Sequence, residues 1–86
     1  MPAQQSKRWQ DMRSVVLCAR DEDWDRLPPR DQKILCLRYG VLDGEPKTYE
    51  DIGLRCLLPR ISRERVRQLE ARAVRRLLDY RKEKSD

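Results

Sequence analysis

Histidine is absent from the 86-residue sequence, and so are a glycine-rich phosphate loop, a metal-ligand cluster and any apolar run near the roughly 18 residues that cross a membrane. The N-terminus also lacks the apolar core of a signal peptide. Because catalysis and metal binding depend on such groups, the sequence predicts a protein that is not an enzyme and needs no cofactor. The same absences predict a cytoplasmic protein without a membrane contact.

Cysteine is sparse, with three residues at wide spacing, Cys18, Cys36 and Cys56. An odd number at such spacing, in a chain without histidine, argues against both a disulfide framework and a zinc site. Each cysteine has apolar neighbours in the sequence. We therefore expect three reduced thiols that act as small buried hydrophobic side chains.

Acidic charge is scarce in one part of the chain only. Residues 1–59 hold ten basic and ten acidic side chains, whereas residues 60–86 hold ten basic and five acidic ones. The whole net charge of +5 therefore lies in the C-terminal part. Fifteen of the 20 basic residues are arginine, which forks onto phosphates and guanine edges. This pattern indicates a nucleic-acid-binding helix, and a solvated helix laced by Glu–Arg pairs is the alternative.

No strand pattern or internal repeat occurs, and the periodicity predicts an all-α chain of four to five short helices. The expected boundaries are a first helix from Lys7 to about Arg20, a second that starts at Pro28-Pro29 and ends at Gly40, a third capped by Thr48 and broken near Pro59, and a last one capped by Ser62. The domains are predicted as an extension at 1–26, a core domain at 27–80 and a polar tail at 81–86. An acidic stretch in the extension is expected to be a solvated connector: Asp21, Glu22, Asp23 and Asp25.

The last two helices have the outline of a helix-turn-helix, in which the second helix enters the major groove of DNA. The buried stripe of that helix is predicted to contain Val66, Leu69, Ala73, Val74, Leu77 and Leu78. Its opposite face carries Arg63, Glu64, Arg67 and Gln68. Arginine pairs with guanine, glutamine with adenine and glutamate with cytosine, so this mixture suits base recognition.

Three stretches resemble region 4 of bacterial primary sigma factors: LPPRDQKILCLRYG from Leu27, TYEDIG from Thr48 and SRERVRQLEARAVRRL from Ser62. The resemblance covers about Leu27 to Leu78, and the string RERVRQLEARA is highly specific. It implies a helix-turn-helix fold that reads double-stranded promoter DNA at the −35 element. It also implies docking on the flap of the β subunit of RNA polymerase.

Roles for individual residues follow from this resemblance alone. The implied base contacts are Arg63, Glu64, Arg67 and Gln68. The implied phosphate contacts are Arg38, Thr48, Arg60 and Arg65. The implied polymerase-binding residues are Ile34, Leu35 and Leu37. The implied contacts with transcription activators are Arg72, Arg75 and Arg76.

The sequence departs from the family in two ways. The turn between Gly53 and Ser62 is about three residues longer than usual, and nothing resembles region 2, which melts the −10 element. The chain is therefore expected to act with a separate region 2 subunit or as a regulator of the resident sigma factor. The longer turn and the N-terminal helix with Trp9 and Trp24 leave another possibility open, a polymerase-bound co-activator or inhibitor that reads no DNA. A fragment of a full-length sigma factor is a third alternative, although the Met-Pro-Ala start favours a natural small protein.

Overall fold

The computed structural model describes residues 6–84, which form helices and connecting turns without a strand. The elements are α1 (Lys7–Leu17), α2 (Asp21–Trp24), α3 (Pro29–Tyr39), α4 (Tyr49–Asp51) with a π-helical continuation (Ile52–Cys56), and α5 (Arg63–Lys84). The all-α prediction is confirmed. Helix α5 continues into the predicted polar tail, of which residues 85 and 86 lie outside the described range, as do residues 1–5. Within 6–84, none of the helices combines the length and the apolar character needed to cross a bilayer.

The helix ends fall where the sequence placed capping residues. Pro29 lies in the first turn of α3, and Gly40 ends that helix with a left-handed φ of 62°. The Thr48 hydroxyl accepts a hydrogen bond from the Asp51 N–H at 3.1 Å. The Ser62 hydroxyl accepts one from the Arg65 N–H at 3.1 Å. Each cap satisfies a backbone group that the helix itself leaves unpaired, which explains why the boundaries could be predicted locally.

Two core clusters hold the helices together, and α5 contributes to both. The larger one joins α1 and α3 to the middle and C-terminal part of α5 and contains Val16, Leu27, Leu35, Tyr39, Ala73, Val74 and Leu77. The smaller one lies beneath the first turns of α5 and contains Ile34, Ile52, Leu57, Val66 and Leu69. The long C-terminal helix is therefore fixed along its length, and its basic N-terminal turns rest on α3 and α4.

Several predictions about burial are wrong. Leu78 is exposed because it lies at the edge of the stripe that Val74 and Leu77 continue into the core. Cys18 is exposed because α1 ends at Leu17, before the expected Arg20, and Cys18 is the residue after its last turn. Cys36 and Cys56 are half-buried, and all three thiols are free.

The acidic connector is also not fully solvated. Asp21, Glu22 and Asp23 form the first turn of α2, where the helix dipole favours carboxylates. The Asp23 side chain is buried, with the Arg20 Nε at 3.6 Å from its carboxylate. Trp24, at the end of α2, packs half-buried against the larger core cluster. The segment is therefore part of the folded domain.

The longer turn folds back onto the π-helical segment. The backbone leaves the helical conformation at Leu57, and the Ile61 N–H donates to the Gly53 carbonyl at 3.1 Å. A Cβ at Gly53 would lie 2.3 Å from the Ile61 carbonyl oxygen, so glycine permits this close approach. The extra residues form an elbow at the surface, with Leu58 almost fully exposed.

Candidate nucleic-acid interface

The first turns of α5 separate polar from apolar side chains. Arg63, Glu64, Arg67 and Gln68 are all exposed, and this set is called the recognition face below. Val66 and Leu69, on the other side of the same turns, are buried at 0% and 1% exposure. The helix therefore presents four side chains with hydrogen-bonding groups from a backbone that the smaller core cluster fixes.

One ion pair orders part of the recognition face. The Arg67 Nε donates to Glu64 Oε2 at 3.1 Å, one helical turn away. The Arg67 hydrogen bond holds the pKa of Glu64 below its usual range, and the same contact raises the pKa of Arg67. Both side chains are about half exposed, so the pair adds little to folding stability. Its effect is to hold the two groups side by side on the exposed side of α5.

The remaining arginines near this end are not held in close ion pairs. Within residues 6–84, Arg60, Arg63 and Arg65 make no ion pair shorter than 4.0 Å. The Arg65 guanidinium reaches only the Gln68 amide oxygen, at 3.5 Å. Exposed arginines without a close ion pair attract phosphates, because neither a salt bridge nor burial weakens the positive potential around them.

A buried carboxylate ties α5 to the two helices beneath it. Glu70 is 2% exposed and accepts hydrogen bonds from Tyr39 Oη at 2.7 Å, Tyr49 Oη at 2.7 Å and Arg38 Nε at 3.3 Å. Burial and the adjacent carboxylate raise the pKa of Tyr39 above its usual range, and burial first and the carboxylate second raise that of Tyr49. Both phenols therefore remain hydrogen-bond donors at neutral pH. The cluster fixes the orientation of the recognition face relative to α3 and α4.

Arg38 belongs to this cluster and not to the surface. Its residue is 7% exposed, its Nη1 donates to the Lys47 carbonyl at 3.1 Å, and its guanidinium lies 4.1 Å from the centre of the Tyr49 ring. The resemblance implied a phosphate contact for Arg38. That role does not fit the described conformation, because Glu70, Lys47 and Tyr49 already engage the guanidinium.

The implied polymerase-binding residues differ in their exposure to solvent. Ile34 and Leu35 are both 0% exposed and lie in the two core clusters, so they cannot meet a partner at the surface. Leu37 is half-buried at the edge of a cleft of about 510 Å³. Trp24 and the exposed Leu42 also line this cleft, which makes it an accessible apolar surface next to α3.

The Sigma-70, region 4 family matches residues 25–78, which is more than half of the chain. This chain belongs to the sigma-70 region 4 family. Over 53 residues it is 49% identical to the RNA polymerase sigma factor SigA of Nostoc sp. strain PCC 7120, covering 62% of this chain and 13% of that protein. It is 39% identical to SigA of Lactococcus lactis subsp. cremoris over 64 residues, 74% of this chain and 17% of that protein.

SigA1 of Synechococcus elongatus gives 51% identity over 51 residues, 59% of this chain and 12% of that protein. The chain thus spans less than a fifth of the length of each of these sigma factors. No solved structure matches the chain significantly. Helix α1 lies outside the region 4 match, whereas α3, α4 and the recognition face lie inside it.

The remaining predicted positions of this region 4 domain are at the surface or near it. Thr48 and Arg60 are exposed, although the Thr48 hydroxyl is engaged as the cap of α4. On the later turns of α5, Arg72 is exposed and Arg75 lies 3.6 Å from Asp79. Arg76 is half-buried, and its Nη1 lies 3.8 Å from the fully buried Asp31 carboxylate. These three arginines are not equivalent, since among residues 6–84 Arg75 and Arg76 each have an acidic partner within 4.0 Å and Arg72 has none.

Sequence reasoning missed Glu70, Tyr39 and Tyr49 as residues that position the region 4 recognition helix. A signal was present in the sequence. Glu70 follows Val66 by four residues and precedes Val74 by four, so it lies on the buried side of α5. Arg38 likewise follows Ile34 by four on the buried side of α3. Opposite charges on two facing apolar stripes predict a buried ion pair.

Proposed function

We propose that this region 4 domain binds double-stranded promoter DNA of the −35 type, with the first turns of α5 in the major groove. The observation that carries the proposal is the exposed recognition face of α5. The buried side of the same helix, with Val66, Leu69 and Glu70, fixes it to the helices beneath. A fixed helix with exposed polar side chains at its N-terminus has the geometry with which helix-turn-helix proteins read base edges.

Each proposed contact follows from side-chain chemistry. Arg63 and Arg67 donate to O6 and N7 of guanine, Gln68 pairs with adenine, and Glu64 accepts from the cytosine amino group. Arg60 and Arg65, which have no acidic partner within 4.0 Å among residues 6–84, bind flanking phosphates, and Thr48 adds a contact at the N-terminus of α4.

DNA affinity should depend steeply on salt. If the interface neutralises about six phosphates, affinity should fall about a thousandfold between ~50 and ~200 mM monovalent salt, because bound cations are released from the duplex. Fluorescence anisotropy with a labelled −35 duplex measures this slope, and a scrambled duplex of equal length is the control. Affinity that stays constant across this range would contradict the proposed interface. Polymerase binding without DNA binding would instead favour a co-activator or inhibitor.

The proposal includes the core of bacterial RNA polymerase as the protein partner, through the β flap, in the cytoplasm. Its support is the name of the relatives, RNA polymerase sigma factors, and the accessible cleft lined by Trp24, Leu37 and Leu42. In this role the domain would act with a subunit that reads the −10 element or regulate the resident sigma factor.

Replacing Leu42 with aspartate should abolish retention of core polymerase in a pull-down and leave DNA binding intact. A charge at the cleft opposes burial against an apolar partner, and Leu42 is 83% exposed, so the fold should tolerate the change. Leu58→Asp is the matched control, because Leu58 is another highly exposed leucine, on the elbow and outside this cleft. If Leu42→Asp and Leu58→Asp both retain core polymerase as well as the unchanged protein does, this cleft is excluded as the polymerase site.

A further inference from the structure

Helix α1, which lies outside the region 4 match, packs alongside α5 in the same direction. Near its start, Arg8 and Trp9 line a cleft of about 230 Å³ together with Arg67 and Ala71 of α5. Near its end, Val15 of α1 and Cys18, the residue after α1, line a second cleft with Leu77 and Arg81 of α5. The start of α1 therefore faces the earlier turns of α5, and the end of α1 faces the later turns. The two helices are parallel. Both N-termini therefore point to the side that carries the recognition face.

Specific contacts hold α1 in this position. The Arg13 Nε donates to the Tyr39 carbonyl at the end of α3, at 3.2 Å. The Trp9 and Tyr39 rings lie 5.5 Å apart between centroids, and Val16 is buried in the larger core cluster. The Ser6 hydroxyl caps the helix by accepting from the Trp9 N–H at 3.1 Å. The start of α1 is thus an ordered part of the surface.

Two basic residues occupy the first turn of α1, and their local environment does not favour them. Lys7 and Arg8 are exposed, and in the described part of the chain neither makes an ion pair within 4.0 Å. The first turn contains no acidic residue. Positive side chains at a helix N-terminus oppose the helix dipole, which favours anions there. Their placement is therefore unfavourable for α1 itself and favourable for a negatively charged partner.

The usual spacing of packed helices suits a DNA duplex as that partner. Packed helices lie about 8–10 Å apart between axes. The major groove is about 12 Å wide, so a helix lying beside one inserted in the groove sits over the flanking sugar-phosphate backbone. Arg8 and Arg67 border one cleft, so the charge at the start of α1 is continuous with the recognition face. A row of phosphates matches this arrangement of one base-reading helix and one basic neighbour.

We propose that Lys7 and Arg8 bind phosphates of the same duplex whose bases the recognition face reads, so that α1 extends the DNA interface beyond region 4. This inference rests on the proposed DNA-binding function. It assigns α1 a positioning and affinity role without sequence readout, because phosphate contacts are the same on every sequence.

The test compares the full chain with two double variants of equal charge change. Lys7→Gln/Arg8→Gln removes the proposed contacts, and Arg81→Gln/Lys82→Gln removes two neighbouring basic residues at the opposite end of α5. Loss of two phosphate contacts should reduce the salt slope by about 1.8 and lower affinity roughly eightfold per contact at ~0.1 M salt. The ratio of affinities for the −35 and scrambled duplexes should stay the same. The control variant should keep the slope of the unchanged protein.

The outcomes separate this inference from the function on which it rests. If the unchanged protein shows steep salt-dependent binding and Lys7→Gln/Arg8→Gln has the same slope, α1 does not contact DNA, and region 4 binding stands. If both double variants lose affinity equally, only the overall charge matters and the inference is overturned. If the unchanged protein shows no salt-dependent binding, the proposed function fails, and the role of α1 fails with it.

Discussion

Replacing Glu70 with alanine should destabilise the domain by about 3–5 kcal/mol, the usual cost of removing one partner of a buried ion pair. The change would leave the Arg38 guanidinium without its carboxylate at 7% exposure, and it would remove the acceptor of both Tyr39 and Tyr49. A domain of this size has a total stability of about 5–10 kcal/mol. The variant should therefore keep at most about half to two-thirds of its stability and unfold at a much lower urea concentration.

Urea unfolding followed by far-UV circular dichroism measures this effect. Glu64→Ala is the matched control, since Glu64 is on the same helix and pairs with an arginine but is exposed. Its unfolding midpoint should stay near that of the unchanged protein. Glu70→Gln, which keeps an acceptor oxygen and loses the charge, should lie between the two. Equal midpoints for Glu70→Ala and Glu64→Ala would show that the buried cluster does not stabilise the fold.

The parts of the fold that depend on local chemistry could be predicted from the sequence. Four helix ends are marked by residues that meet a need of the backbone within their own turn. The hydroxyls of Thr48 and Ser62 accept hydrogen bonds from otherwise unpaired N–H groups, Pro29 has no N–H to pair, and Gly40 adopts a left-handed φ. The apolar stripe of α5 was predicted for the same reason, apart from Leu78 at its edge. Such features need no knowledge of which helix lies opposite.

The roles of polar and apolar residues on facing helices could not be predicted in this way. The spacing places Arg38 and Glu70 on the apolar sides of their own helices, but only the packing of α3 against α5 joins them as one buried pair. Ile34 and Leu35 were assigned to a partner protein, and the domain itself covers both. Burial depends on which faces meet, and that information is tertiary.

The position of α1 in the fold also could not be predicted from the sequence. Its periodicity predicted an amphipathic helix, but not the helix against which it packs or in which direction. Arg13 and Trp9 decide this through the end of α3, at the Tyr39 carbonyl and ring. The family match offers no guidance here because it begins at residue 25.

Replacing Arg67 with alanine should weaken binding to the preferred −35 duplex about tenfold to a hundredfold, the usual effect of losing a bidentate arginine–guanine pair. The effect on a scrambled duplex should be much smaller, since a base contact contributes only where its base is present. Competition anisotropy on both duplexes measures the two losses. Equal losses on both would mean that Arg67 contacts only phosphate.

Arg75→Ala is the matched control for this variant. Arg75 is also an exposed arginine of α5 with an acidic partner within the helix, Asp79 at 3.6 Å, but it lies two turns further from the N-terminus. Both substitutions remove one positive charge and one helical ion pair. A difference between them therefore reports the position of Arg67 on the recognition face and not its charge.

Glu64 complicates the Arg67 experiment in a way that can be measured. Without Arg67, the Glu64 carboxylate loses its hydrogen-bond partner and faces the phosphates unpaired, so part of the lost affinity would come from repulsion. The double variant Glu64→Ala/Arg67→Ala removes that repulsion. If Arg67 reads a base, the double variant should stay weak on the preferred duplex and recover only the repulsive part. Recovery of full affinity would mean that Arg67 serves to neutralise Glu64 and that neither residue reads the promoter.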